Sequence, residues 1–138
     1  MKINITSDAS RSINGYKNYF THNNDHLDLN DIVTNCCEEI IFTGIDYIPQ
    51  DKVESILDII ISKLRLGGKI FISGLNIDAL GRLIVAEQVS EEDASNMLAP
   101  IKSIRSRYSI SKLIKQKNLT IEYSIAKGLV YEISAIRK

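Results

Sequence analysis

The chain has 138 residues, and its 17 Lys and Arg balance 17 Asp and Glu. That length suits one compact domain over residues 1–138, with a core large enough to need no disulfide or metal staple. The balanced charge excludes a chain-wide electrostatic case for nucleic acid or an anionic membrane.

Residues 2–6, KINIT, alternate and carry β-branched residues, which predicts a first strand entering the polar loop SDASRSING. Gly15 permits a turn before a second strand over 16–20, YKNYF, and HLDL at 26–29 reads as a short third one. The run EIIFTGI, Glu39 to Ile45, has the composition of a buried parallel strand. Beyond Pro49, a helix is expected over 51–66. Asp51 and Glu54 have capping-box spacing, Val53, Ile56, Leu57, Ile60 and Leu64 recur at helical intervals, and Lys63 and Arg65 suit the C-terminal end. Gly67 ends this helix, and Lys69 to Ser73 begin another strand. Strand, helix and strand in this order place the segment around Asp46 at the carboxyl edge of a parallel sheet, where open α/β folds bind ligands.

Asn76 or Asp78 can cap a further helix through Ile77, Leu80, Leu83 and Ile84. Ser90 with Asp93 can start a short helix near Met97 and Leu98, and Ser109 can cap one using Ile110, Leu113 and Ile114. The runs LTIEYSIA and LVYEISAI, separated by Lys127 and Gly128, predict a terminal antiparallel hairpin.

The adjacent Cys36 and Cys37 cannot bridge without severe backbone strain, so a reduced, cytoplasmic protein is expected. Polar residues interrupt the N-terminal run too early for a secretory leader, and DIIISKLRL is too short and charged to span a bilayer. His22, Asp25 and His26 invite a metal reading, but no further ligand is spaced to complete it and no metal is expected. From Ala94 to Ile121 there is no acid, whereas Lys102, Arg105, Arg107, Lys112, Lys115 and Lys117 are present. Segment 102–117 reads as a solvated face, or as a surface for an acidic partner, another copy of the chain or nucleic acid.

Taken together, Glu38 to Lys138 resembles the C-terminal half of a class I S-adenosylmethionine-dependent methyltransferase. Leu64-Arg65-Leu66-Gly67-Gly68-Lys69-Ile70 looks like the family's Leu-Lys-Pro-Gly-Gly junction, and YSISKLIKQKNLTIEYSIAKGLVYEISAIRK like its final helix and hairpin. Ile45-Asp46-Tyr47-Ile48 is loosely similar to the segment after the family's fourth strand. Ile3-Asn4-Ile5-Thr6-Ser7-Asp8, Gly15-Tyr16-Lys17-Asn18-Tyr19-Phe20 and Asp28-Leu29 are compatible with a shortened N-terminal half.

The resemblance implies a Rossmann-like α/β fold: a mostly parallel sheet ending in an antiparallel hairpin, with the site at the ends of strands one, two and four. It implies S-adenosylmethionine as cofactor and an unidentified substrate. The cofactor would lie on Thr6, Ser7, Asp8, Asp28, Thr43 and Gly44. Asp46 would orient the substrate or take its proton, and Tyr47 would offer a π face to the sulfonium. Thr6 to Ser10 stand where the family carries glycines that let the backbone approach the cofactor. Phe20 stands where an acid usually holds the ribose, a loss that Asp25 or Asp28 would have to compensate. Either a small methyltransferase or cofactor-binding remnant, or a non-catalytic interaction protein keeping the fold, satisfies this pattern.

Overall fold

A computed structural model describes residues 1–21 and 27–138. His22, Asp25 and His26, the residues of the metal reading, lie outside the described residues. Among the described residues, six strands form one sheet: β1 (Lys2–Thr6), β2 (Lys17–Phe20), β3 (Cys37–Phe42), β4 (Leu64–Leu75), β5 (Leu119–Lys127) and β6 (Val130–Arg137). Their order is β2-β1-β3-β4-β6-β5. The pairs β2/β1, β1/β3 and β3/β4 are parallel, and β6 runs antiparallel to both β4 and β5. The chain leaves β1 for β2 on one side and returns to β3 on the other. That reversal puts a topological switch point at the carboxyl ends of β1 and β3.

Helix α1 (Val53–Lys63) connects β3 to β4, and its Val53, Ile56, Leu57, Ile60 and Ile61 are buried. Those residues recur every three or four positions, which gives the helix one apolar stripe to lay on the sheet. Helices α2 (Ile77–Val85) and α3 (Glu91–Leu98) follow β4, and α4 (Arg107–Gln116) packs Ile110 and Ile114 into the core. The core joins α1 and α4 to one face of the sheet. Ile3, Ile40, Ile70 and Ala135 form one cross-sheet row of it, and Ile5, Phe42, Ile72 and Ile133 the next.

Local details depart from the sequence reading for identifiable reasons. Residues 27–29 carry no strand; Leu27 and Leu29 are buried in the core from a loop. Asp51 does not cap α1, because Gln50–Lys52 closes a 3-10 turn behind Pro49 and leaves Lys52 as the cap residue without a side-chain bond. Gly67 does not end the helix: α1 stops at Lys63, and β4 runs through both glycines. Gly67 has φ of +75°, and a Cβ on Gly68 would stand 2.9 Å from the carbonyl oxygens of Cys37 and Arg65. One glycine supplies the left-handed residue and the other permits close backbone approach. Ser106, not Ser109, caps α4, its hydroxyl accepting from the Ser109 N–H, while Ser90 caps α3 as expected. No helix among the described residues is long and apolar enough to cross a membrane.

Candidate functional site

The carboxyl ends of β3 and β4 open into a cleft of about 390 Å³, bordered by Thr43, Asp46, Tyr47, Ser73, Arg11 and Met97. Its geometry follows from the chain turning sharply after β3. A 3-10 turn over Ile45–Tyr47 carries Asp46 and Tyr47 to the sheet edge, and the α3 side supplies Met97.

Asp46 is buried, and its Oδ2 accepts the Leu75 N–H at 2.7 Å. Its backbone carbonyl accepts the N–H groups of Lys102 and Ser103 at 2.9 and 3.1 Å. The residue thus ties the end of β4 and the segment before α4 to the turn after β3. Burial pushes its carboxyl up to about 6, against the opposing pull of the Leu75 N–H. Behind it, Tyr131 is held protonated chiefly by burial and then by the Asp46 charge, and its hydroxyl has no hydrogen-bond partner among the described residues. Sequence reasoning assigns neither Tyr131 nor Arg105, whose buried Nε is also unpartnered there, to the site. A Tyr opposite Gly74 in the β4/β6 pairing is the only signal that could have found the first of them.

On the switch-point side the chain gathers Thr6, Ser7, Thr43 and Gly44. Thr6 is buried, its carbonyl accepting the Thr21 N–H at 2.9 Å, and the Thr43 N–H donates to the Ile5 carbonyl. Asp8 turns outward, its carboxylate accepting the Ser10 N–H and hydroxyl at 2.9 and 2.7 Å as the cap of a 3-10 turn. Asp28 is exposed and accepts the Asn30 N–H at 3.0 Å, an Asx turn. Phe20 is exposed at the end of β2.

Two observations bear on whether a polar cofactor group fits. The hydroxyls of Thr21 and Thr43 are buried without a hydrogen-bond partner among the described residues, and such orphaned groups call for a ligand or another explanation. A Cβ on Gly44 would fall 2.6 Å from the Thr21 Oγ1 and 3.4 Å from the Ser7 nitrogen, so the crevice is narrow. Hydroxyls and backbone amides of this kind can hydrogen-bond the polar end of a ligand such as S-adenosylmethionine, provided that Thr21 yields the space it fills beside Gly44.

No family model and no curated protein matches the sequence. Solved structures do match the fold. A SAM-dependent methyltransferase from Archaeoglobus fulgidus aligns with a TM-score of 0.63 at 8% identity, over 98% of this chain and 85% of its own. An O-methyltransferase family protein from Burkholderia thailandensis aligns at 0.61 and 12% identity, over 88% of this chain and 36% of its own. The 1,6-didemethyltoxoflavin-N1-methyltransferase of the same organism, solved with 1,6-didemethyltoxoflavin and S-adenosylhomocysteine, aligns at 0.53 and 14%, over 90% and 52%. The chain has the class I S-adenosylmethionine-dependent methyltransferase-like fold, and it spans well under two thirds of the latter two proteins.

Proposed function

We propose that the protein is a small S-adenosylmethionine-dependent methyltransferase, acting on an unidentified substrate held in the Asp46 cleft. The observation that carries this reading is the pair of unpartnered, buried hydroxyls of Thr21 and Thr43 beside Gly44, at the switch point where such folds hold their ligand. Thr6, Ser7, Thr43 and Gly44 would hold the cofactor's polar end, with Asp8 and Asp28 at the rim. When bound, the cofactor supplies an electrophilic methyl group on sulfur. Asp46 faces the neighbouring cleft with a carboxyl that changes charge near pH 6, which suits a group that orients a substrate donor or accepts its proton. Tyr47 borders the same cleft, where its ring would offer a π face to the sulfonium. Positioning and electrostatics can supply most of such catalysis, and both side chains stand on a turn fixed by the Asp46 backbone bonds.

A non-catalytic reading is favoured by one specific observation: the space above Gly44 is filled by Thr21 of the same chain. Calorimetric titration with S-adenosylmethionine and S-adenosylhomocysteine separates the two. Micromolar binding is expected, and Thr43→Val should weaken it roughly tenfold or more through one lost hydrogen bond. Absence of heat and of any thermal shift at millimolar ligand would leave the fold as a scaffold.

A further inference from the structure

Among the described residues, the helices α1 and α4 pack on one face of the sheet, and the other face is open over β3, β4 and β6. Opposite the core, the cross-sheet rows read Lys2, Glu39, Lys69, Ile136; then Asn4, Ile41, Phe71, Ser134; then, at the upper end, Ser73 and Glu132 beside Thr43. Over β1 and β2 this face is shielded by the loop that follows β1, whose Arg11 carbonyl accepts from the Asn4 side chain. Over β3, β4 and β6 it carries a depression of about 330 Å³ lined by residues of these strands and by Thr43, none of them from a helix, with Ile41 and Phe71 half-buried in it. Parallel strands are ordinarily covered on both faces, because each face carries apolar side chains that water does not favour.

We infer that this face pairs with the same face of a second copy of the chain, about a two-fold axis parallel to the strands and lying between β3 and β4. The argument is the chemical match across that line. Such an axis lays β3 of one copy over β4 of the other at the same level, since Glu39, Ile41 and Phe42 pair with Lys69, Phe71 and Ile72 in register. Glu39 then faces the Lys69 of the other copy, Ile41 faces Phe71, and Thr43 faces Ser73, each pair occurring twice. Opposite charge meets opposite charge, apolar meets apolar, and hydroxyl meets hydroxyl, as a self-complementary isologous contact requires. The charges alternate in sign along the strand order, whereas a nucleic acid or an anionic membrane would select one sign. Glu39 and Lys69 already have partners in their own chain, Tyr16 and Lys2 for the first and Glu122 for the second, so they form a polar rim around the Ile41 and Phe71 centre. Thr43 and Ser73 border both the depression and the Asp46 cleft, so the second copy also walls the open side of that cleft.

The test is the mass in solution of the parent and of two charge variants, alone and mixed. The parent should approach twice its monomer mass as concentration rises to roughly 1 mM, the weak end for a specific complex. Glu39→Lys and Lys69→Glu should each weaken self-association about tenfold or more, because each places like charges opposite one another. Mixed, the two should pair with each other, since one variant carries lysine at both positions 39 and 69, the other glutamate at both, and the two-fold sets each lysine opposite a glutamate. Recovery on mixing cannot arise from a change within one chain. Thermal melts check that each variant is folded, and Phe71→Ser provides an uncharged variant expected to be monomeric. A parent that stays monomeric throughout, or single variants that associate as the parent does, or a mixture that fails to pair, overturns the inference.

Discussion

At the scale of the residue, Asp46 carries the sharpest consequence. Its carboxyl titrates near 6 in the folded chain, whereas an unfolded Asp titrates near ~3.9. The folded state therefore binds its proton more tightly. The stability this contributes is fully present below the unfolded value and is lost as pH rises through about 6. Above that, the buried charge costs on the order of 1 to 3 kcal/mol. Asp46→Asn keeps an oxygen for the Leu75 N–H and removes the charge. The variant should gain stability relative to the parent as pH rises from roughly 4 to 6.5, then hold that gain, and under the proposed function it should also lose methyl transfer. Urea unfolding of both proteins across that range reads the difference directly, with other titrating groups cancelling. A difference that does not change with pH would show the carboxyl to be unperturbed. The place of Asp46 at the strand edge was legible from the βαβ order of the sequence. Its clasp on Leu75, Lys102 and Ser103 was not, because two of those partners lie more than 50 positions away and nothing local encodes them.

At the scale of the element, α1 shows what periodicity settles. Leu57 is fully buried, while Ile59, an equally apolar neighbour on the other side of the helix, is 41% exposed. Leu57→Ala should cost roughly 2 to 5 kcal/mol through lost transfer energy and a residual cavity, whereas Ile59→Ala should cost under about 1 kcal/mol. Equal midpoint shifts in denaturant would mean that the helix does not present this face to the sheet. The stripe was readable because 3.6 residues per turn maps spacing onto one face. Its ends were not, since Pro49 pre-set a 3-10 turn that displaced the expected Asp51 cap. The first glycine of the following junction reads in sequence as a helix stop, because a left-handed residue inside a strand and one after a helix leave the same mark. Gly68→Ala should destabilise by about 1 to 3 kcal/mol in the same denaturant melts, as its Cβ meets two carbonyl oxygens of the sheet and its approach.

At the scale of the whole molecule, the terminal hairpin and the parallel βαβ core were legible, because alternating runs, helical spacing and turn residues specify them locally. The second face of the sheet, over β3, β4 and β6, was not. Glu39, Lys69 and Glu132 come from three strands far apart in sequence, and only their pairing makes a continuous second surface of them. The basic segment 102–117 is likewise reshaped by the fold. Lys117 reaches Asp58 and Glu54 on α1, the Arg107 guanidinium donates to the Ser124 carbonyl at 2.7 Å, and Arg105 donates to the Gln50 carbonyl at 3.4 Å. Half of the cations that make the segment conspicuous in sequence therefore hold α4 and its approach in place. Lys112 and Lys115 stand exposed on α4. Two exposed lysines on one helix release few counterions on meeting phosphate, so affinity for DNA or RNA should be weak and nearly insensitive to base sequence. Charge reversal at Lys112 and Lys115 should leave stability nearly unchanged, whereas reversal at Lys117 sets a third acid beside Asp58 and Glu54 and should lower the melting temperature measurably. Fluorescence anisotropy with a short oligonucleotide at two salt concentrations, beside thermal melts of the three variants, checks both statements. Tight binding whose affinity falls with a log–log salt slope steeper than about −4 would require more phosphate contacts than this face offers and would return the segment to a nucleic-acid role.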